Sequence, residues 1–237
     1  RREARPGVGQ LSARTAAALD TTRVAAQAEA CSRCALEREC FLARLLPEQL
    51  NDCTGVVQRR YFAANGSWLF HRDAPFSSLY LVCEGAVKTQ RVTKDGGMIV
   101  TGFYLTGDLV GLDAIGDTRH PCDAITIADS VVCRLDFERL VAFCFSRPAI
   151  HSWIISLIGR QLRQKDADHS WTKALQTDNR VLRFFLDLHE RLVAVNRASG
   201  GSIALPVKKQ DIARYLHISP ETLSRTLAKL RKDGLLE

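Results

Sequence analysis

The sequence predicts an α+β chain: an N-terminal antiparallel β-roll, a long helix, and a C-terminal winged helix-turn-helix. Three observations predict it. Between about Val56 and Leu135, short segments with alternating apolar positions (78–83, 86–93, 98–104 and 124–135) are divided by turn-forming residues such as Asn65-Gly66, Asp95-Gly96-Gly97 and Gly116-Asp117. That spacing folds strands back on one another in a small barrel or roll. From Pro148 to about Thr177 apolar residues recur at three- and four-residue steps, the period of an amphipathic helix. After Lys209, two short helical patterns flank the tight turn His217-Ile218-Ser219. The expected division is a flexible tail over 1–30, a cysteine-bearing segment over 31–52, the roll over 53–146, the long helix over 147–177 and the helix-turn-helix over 178–237.

The second of the paired helices has the clearest local signals. Ser219 is placed to cap it, Pro220 occupies the first helical position, and Glu221 sits where the helix dipole favours a carboxylate. Gly234 supplies the stop. Leu223, Leu227 and Leu230 share one face; Glu221, Ser224 and Arg225 share the opposite one. A recognition helix reads bases with its N-terminal residues in the major groove. There Arg can pair with guanine, Glu can accept from cytosine N4, and Ser can contact either base or phosphate. Lys208, Lys209 and Lys229, with Arg231 and Lys232, suit phosphates, which position without specifying. The expected partner is double-stranded DNA. The formal charge of +7 agrees, and from residue 178 onward Lys and Arg outnumber Asp and Glu by 11 to 7.

Along the long helix, Ile150, Ile154, Leu157, Ile158 and Leu162 form a stripe. It is read as a seam for the same helix of a second copy, in preference to packing on its own roll. Beyond it Lys165, Asp166, Asp168 and His169 turn the seam polar. No run reaches the ~18 apolar residues that cross a bilayer, and the first 30 residues lack the apolar core of a secretory signal. The expected location is the cytoplasm, with no membrane partner. In that compartment eight cysteines do not suggest a disulfide scaffold. Cys31, Cys34 and Cys40, spaced C-x2-C-x5-C, read as a metal or redox group. Their soft thiolates suit an iron–sulfur cluster or zinc, and a Cys31–Cys34 thiol–disulfide sensor stays open. Cys53, Cys83 and Cys144 lie in apolar surroundings and read as small core residues. No nucleophile–base pair, Walker loop or metal-hydrolase motif is present, so no enzyme is expected.

Taken together, Pro220-Glu221-Thr222-Leu223-Ser224-Arg225, the stretch Thr101-Gly102-Phe103-Tyr104-Leu105-Thr106-Gly107-Asp108-Leu109-Val110-Gly111-Leu112-Asp113-Ala114-Ile115-Gly116 and the cysteine spacing resemble the FNR branch of the CRP/FNR regulators. The resemblance runs from about Cys31 to Glu237. It implies a roll of the cyclic-nucleotide-binding kind in a homodimeric, oxygen-responsive regulator carrying a [4Fe-4S] cluster. The position matching the family's fourth ligand is Cys133, alongside Cys31, Cys34 and Cys40. The resemblance also implies a TTGAT half-site read by Glu221, Ser224 and Arg225, and contact with RNA polymerase through the roll. The chain departs from the pattern in two ways: it stops at Leu235-Leu236-Glu237, before the usual wing, and Cys122 is an additional thiol near Cys133. A cyclic nucleotide is not expected, because Leu112-Asp113 follows the Gly-rich turn and 119–122 lack the Arg-Ser/Thr pair that clamps a phosphate. Haem on His71, His120 or His151 is a further alternative.

Overall fold

The computed structural model describes residues 36, 40, 56–174, 176–194 and 207–236. The chain divides into two compact units, residues 1–54 and 55–237. In the first unit Leu36 and Cys40 are buried, and Cys40 N–H donates to Leu36 O at 2.7 Å. The expected tail over 1–30, and both Cys31 and Cys34 of the cysteine-bearing segment, lie outside the described residues.

The second unit begins with eight strands: β1 (Val57–Ala63), β2 (Trp68–Phe70), β3 (Ser78–Glu84), β4 (Ala86–Val92), β5 (Met98–Leu105), β6 (Leu109–Val110), β7 (Asp123–Thr126) and β8 (Ser130–Asp136). They form two four-stranded antiparallel sheets, ordered β1-β8-β3-β6 and β2-β7-β4-β5. The result is a roll of two sheets rather than a closed barrel. Alternation along each strand sends one set of side chains inward. Phe70, Tyr80, Val82, Val87, Tyr104, Val110, Cys122 and Val132 meet there as a buried core drawn from both sheets. Gly85, between β3 and β4, has φ +89°, and a Cβ would stand 2.6 Å from Asp129 O. Only glycine fits that hairpin.

Among the described residues five α-helices follow: α1 (Phe137–Phe145), α2 (Pro148–Ala174), α3 (Thr177–Ala194), α4 (Lys209–Tyr215) and α5 (Pro220–Lys232). Asp136 caps α1 by accepting from Arg139 N–H at 3.0 Å. The stripe on α2 divides. Ile150, Ile154 and Leu157 are buried within this chain, and Gln161 continues their face at 7% exposure. Ile155 and Leu162 stand 56% and 67% exposed, with Ile158 half-buried between the two faces. Three of the five residues expected at a seam between copies are therefore covered by their own chain. The polar continuation also differs: Lys165 Nζ lies 5.8 Å from the Tyr104 ring centroid, against the roll. Burial would lower the Lys165 pKa, but Tyr104, Asp113 and Cys122 raise it further, so the ammonium form is favoured.

The expected roll and helix-turn-helix fold as one body. Val100, Phe103 and Leu105 of β5 share a core with Val181, Phe184 and Leu188 of α3, Ile212 and Ala213 of α4, and Leu223 and Leu230 of α5. The Phe103 ring sits 5.8 Å from Phe184 and 5.2 Å from Tyr215. Full burial of one such side chain stabilises by about 1.5–3 kcal/mol. Ion pairs flank this core: Lys88 of β4 reaches Asp211 of α4 at 2.7 Å, and Arg191 of α3 reaches Asp108 at 2.5 Å.

A candidate nucleic-acid interface

Helix α4, the turn and α5 form the predicted pair of helices. Asp211, Ile212 and Ala213 bury the inner face of α4, while Lys208 and Lys209 stay exposed at its start. The turn passes through His217, whose φ of 53° is unusual for a residue with a Cβ. Ile218 N–H then donates to Ala213 O at 3.0 Å and fixes the angle between the helices.

At the start of α5 the Ser219 hydroxyl accepts from Thr222 N–H at 3.1 Å. The Glu221 carboxyl is held below its usual pKa by its own backbone N–H, then by Ser219 and Arg225. It is thus an acceptor in neutral solution. At the other end Leu235 N–H donates to Leu230 O at 2.9 Å, with Gly234 at φ 70°. This six-to-one bond closes the helix. Leu223, Thr226 and Leu230 face the core, whereas Glu221, Ser224 and Arg225 are exposed together on the outer face. The three expected base readers therefore share one free surface at the N-terminal half of the helix.

Lys229 is placed differently from Lys208 and Lys209. Its ammonium pairs with Asp178 of α3 at 2.5 Å, and Thr226 donates its hydroxyl to the same carboxylate at 3.2 Å. The Lys229 hydrogen bond lowers the Asp178 pKa, and its counterpart raises that of Lys229. One acidic side chain thus contacts two residues of α5, beside the buried face of Leu223, Thr226 and Leu230 that seats the helix. Sequence reading missed this, because nothing local couples Asp178 to a residue 51 positions later.

The cysteines fall into two groups. Cys122 is in the roll interior, where its thiol donates to Asp113 at 3.2 Å and burial pushes its pKa up. Cys133 sits next to inward-facing Val132 and so faces the other side of the first sheet. It is 3% exposed, and its Sγ lies 3.3 Å from that of Cys83 on β3. Cys83 was expected as an ordinary core residue; its contact with Cys133 is the second feature the sequence did not disclose. Among the described residues no group of three or more His, Cys, Asp or Glu converges on a metal position. His120 is stacked on Phe70 at 3.7 Å and is 3% exposed. No described helix is long and apolar enough to cross a membrane.

Comparison with known proteins agrees with this anatomy. Residues 60–147 match the model of the cyclic nucleotide-binding domain, and residues 179–237 match the Crp-like helix-turn-helix domain. The chain is 29% identical over 206 residues to the fumarate and nitrate reduction regulatory protein of Escherichia coli (strain K12), covering 87% of this chain and 82% of that one. It is also 29% identical over 219 residues to the transcriptional activator protein FnrA of Stutzerimonas stutzeri, covering 92% and 89%. Among solved structures, FixK2 from Bradyrhizobium japonicum aligns with a TM-score of 0.66 at 26% identity, over 74% of this chain and 85% of that one. A transcriptional regulator of the CRP family from Thermus thermophilus, at 22% identity and a TM-score of 0.60 over 73% and 85%, shares the fold. With its two-sheet roll, its long helix and an outward-facing recognition helix, the chain belongs to the CRP/FNR family of DNA-binding transcription regulators and is not an enzyme.

Proposed function

We propose that this regulator senses oxygen: without oxygen it holds a [4Fe-4S] cluster, dimerises and binds a TTGAT-type inverted repeat. The observation that carries the reading is the exposed set Glu221, Ser224 and Arg225 on α5. These are the residues the FNR resemblance assigns to that half-site, and relatives bear fumarate and nitrate reduction names. Cys31, Cys34, Cys40 and Cys133 would hold the cluster. The fit is supported by the two of these that are described: Cys40 and Cys133 are buried soft donors in no disulfide. When bound, the cluster supplies an oxygen-reactive iron centre.

The chain's own residues do the rest. Ile155, Ile158 and Leu162 on α2 offer a ridge to a second copy, flanked by an open apolar groove of about 410 Å³ beside Phe145. Two readers on one dimer would address half-sites one helical turn apart. Gln161 ties the same helix to the roll, accepting from Leu109 N–H at 3.1 Å and donating to Leu109 O at 3.0 Å. A shift of α2 is thereby felt at the edge of the sheet that carries Cys133. The reading includes no cyclic nucleotide, in keeping with a roll interior filled by Phe70, Tyr80 and Tyr104. It places the regulator in the cytoplasm, with RNA polymerase as the partner of the roll surface.

The test is purification without oxygen, followed by visible absorption, iron and sulfide analysis, sedimentation and DNA binding before and after air. An iron–sulfur chromophore that bleaches in air, with loss of the dimer and of repeat binding, and that is absent from Cys133→Ala, supports the reading. Unchanged repeat binding by a colourless or zinc-containing protein overturns the oxygen sensor and leaves the reader.

A further inference from the structure

We propose that Cys83 and Cys133 are a redox-active thiol pair that closes to a disulfide across β3 and β8 when the protein meets a hydroperoxide. Their Sγ atoms are already 3.3 Å apart, against an S–S bond of about 2.04 Å. Each sulfur has well under an ångström to travel. The strands are direct neighbours: Leu81 pairs with Cys133, and the register shifts between Val82 and Glu84. Cys83 is the extra residue of that bulge. A bulged residue is released from the ladder, so its side chain can turn toward Cys133 without breaking a strand pair. At present the Cys83 thiol is also within 3.8 Å of Leu81 O. Both residues face away from the roll interior, on the face where Leu79 of the same strand lines the groove by α1 and α2.

The chemistry balances with hydrogen peroxide as oxidant. One thiol sulfur attacks the O–O bond, giving a sulfenic acid and one water. The neighbouring thiol sulfur then attacks the sulfenic sulfur; the S–S bond forms, the S–O bond breaks, and a second water leaves. Two thiol hydrogens and two electrons pass to the peroxide. Burial at 2% and 3% exposure slows the first step. The oxidant is small, however, and the second step is intramolecular between held groups, where effective concentrations are high. Closure would remove Cys133 from the cluster's ligand set, so peroxide would block cluster loading until a dithiol reopened the bond. That consequence rests on the cluster reading; the pair itself does not.

The experiment treats the iron-free full chain with hydrogen peroxide, alkylates it after unfolding, and maps cysteine peptides by mass spectrometry. The expected result is a linked Cys83–Cys133 peptide pair that dithiothreitol releases. In Cys83→Ser, and in Cys83→Ala should the serine variant fail to fold, the link is absent and Cys133 proceeds to the sulfinic acid. Recovery of both residues as alkylated thiols, or linkage of Cys133 to another cysteine, overturns the proposal. In a second arm, peroxide-treated wild type should fail to take up iron and sulfide until dithiothreitol reopens the bond, while treated Cys83→Ser stays unloaded after dithiothreitol because a sulfinic acid is not reduced by a dithiol. A wild type that takes up neither under any condition overturns the cluster reading, and the linked peptide still decides the pair.

Discussion

Gln161 completes the edge of the first sheet by bonding both backbone groups of Leu109, at 3.1 and 3.0 Å. Strand β6 has only two residues, and Gln161 is 7% exposed. A side chain of the long helix therefore takes the place of a neighbouring strand. Gln161→Leu fills similar volume but leaves a buried donor and acceptor without partners, each costing about 1–3 kcal/mol. Urea unfolding should show a loss of about 2–6 kcal/mol for the two groups together. An unchanged midpoint would mean that water replaces the amide.

Arg225→Ala should lose ~1–3 kcal/mol of discrimination at one G·C pair and little affinity for random DNA. Competition binding with base-substituted half-sites checks this. Equal losses on both DNAs would remove Arg225 from base reading.

The pairing of Lys229 with Asp178 alters what a lysine scan should find. Lys209→Ala should reduce the salt slope of DNA binding by about one phosphate contact. Lys229→Ala should leave that slope nearly unchanged and instead lower specific affinity, because α5 loses one of its two holds on Asp178. Titrations over a range of salt concentrations separate the two cases.

Lys88 and Asp211 join the roll to the reader through side chains 12% and 5% exposed. Lys88→Met leaves the Asp211 carboxylate buried with Arg214 at 3.8 Å as the nearest remaining charge. Breaking such a pair from one side costs about 3–5 kcal/mol. Lys88→Met with Asp211→Leu should recover most of it, and thermal unfolding of the two variants provides the comparison.

Burial of His120 lowers its pKa, opposed by the charge of Asp113. The unfolded chain therefore binds a proton more readily than the folded one. The neutral ring's contribution is complete above the ordinary histidine value of ~6.5 and is lost as pH falls below it. Wild-type stability should decline from about pH 6.5 toward pH 5 more steeply than that of His120→Phe, which keeps the stack on Phe70. Parallel slopes would assign the decline to other groups.

The sequence was most readable where structure is local. Ser219-Pro220-Glu221 announced α5, and the Gly-rich turns announced the hairpins. The stripe on α2 was legible as a stripe, but a helical period reads the same whether a second copy or the roll covers it. Cys83 and Cys133 could not be joined without the register of β3 on β8, which depends on a bulge. Lys88–Asp211 spans 123 positions, and no periodicity encodes a pair at that separation. Val100, Phe103, Tyr104 and Leu105 did carry a signal: apolar residues on both sides of a strand require cover on both faces.

The core shared by β5, α3, α4 and α5 has a consequence for anyone who would cut the molecule. Residues 178–237 have the sequence of a portable DNA-binding module, but freed from the roll they would expose Phe184, Ile212 and Tyr215 to water. Such a fragment carries an apolar patch of the kind that drives self-association. Swapping readers between relatives therefore requires transplanting the matching surface of β5 as well, and heating the intact second unit should give one melting transition instead of two.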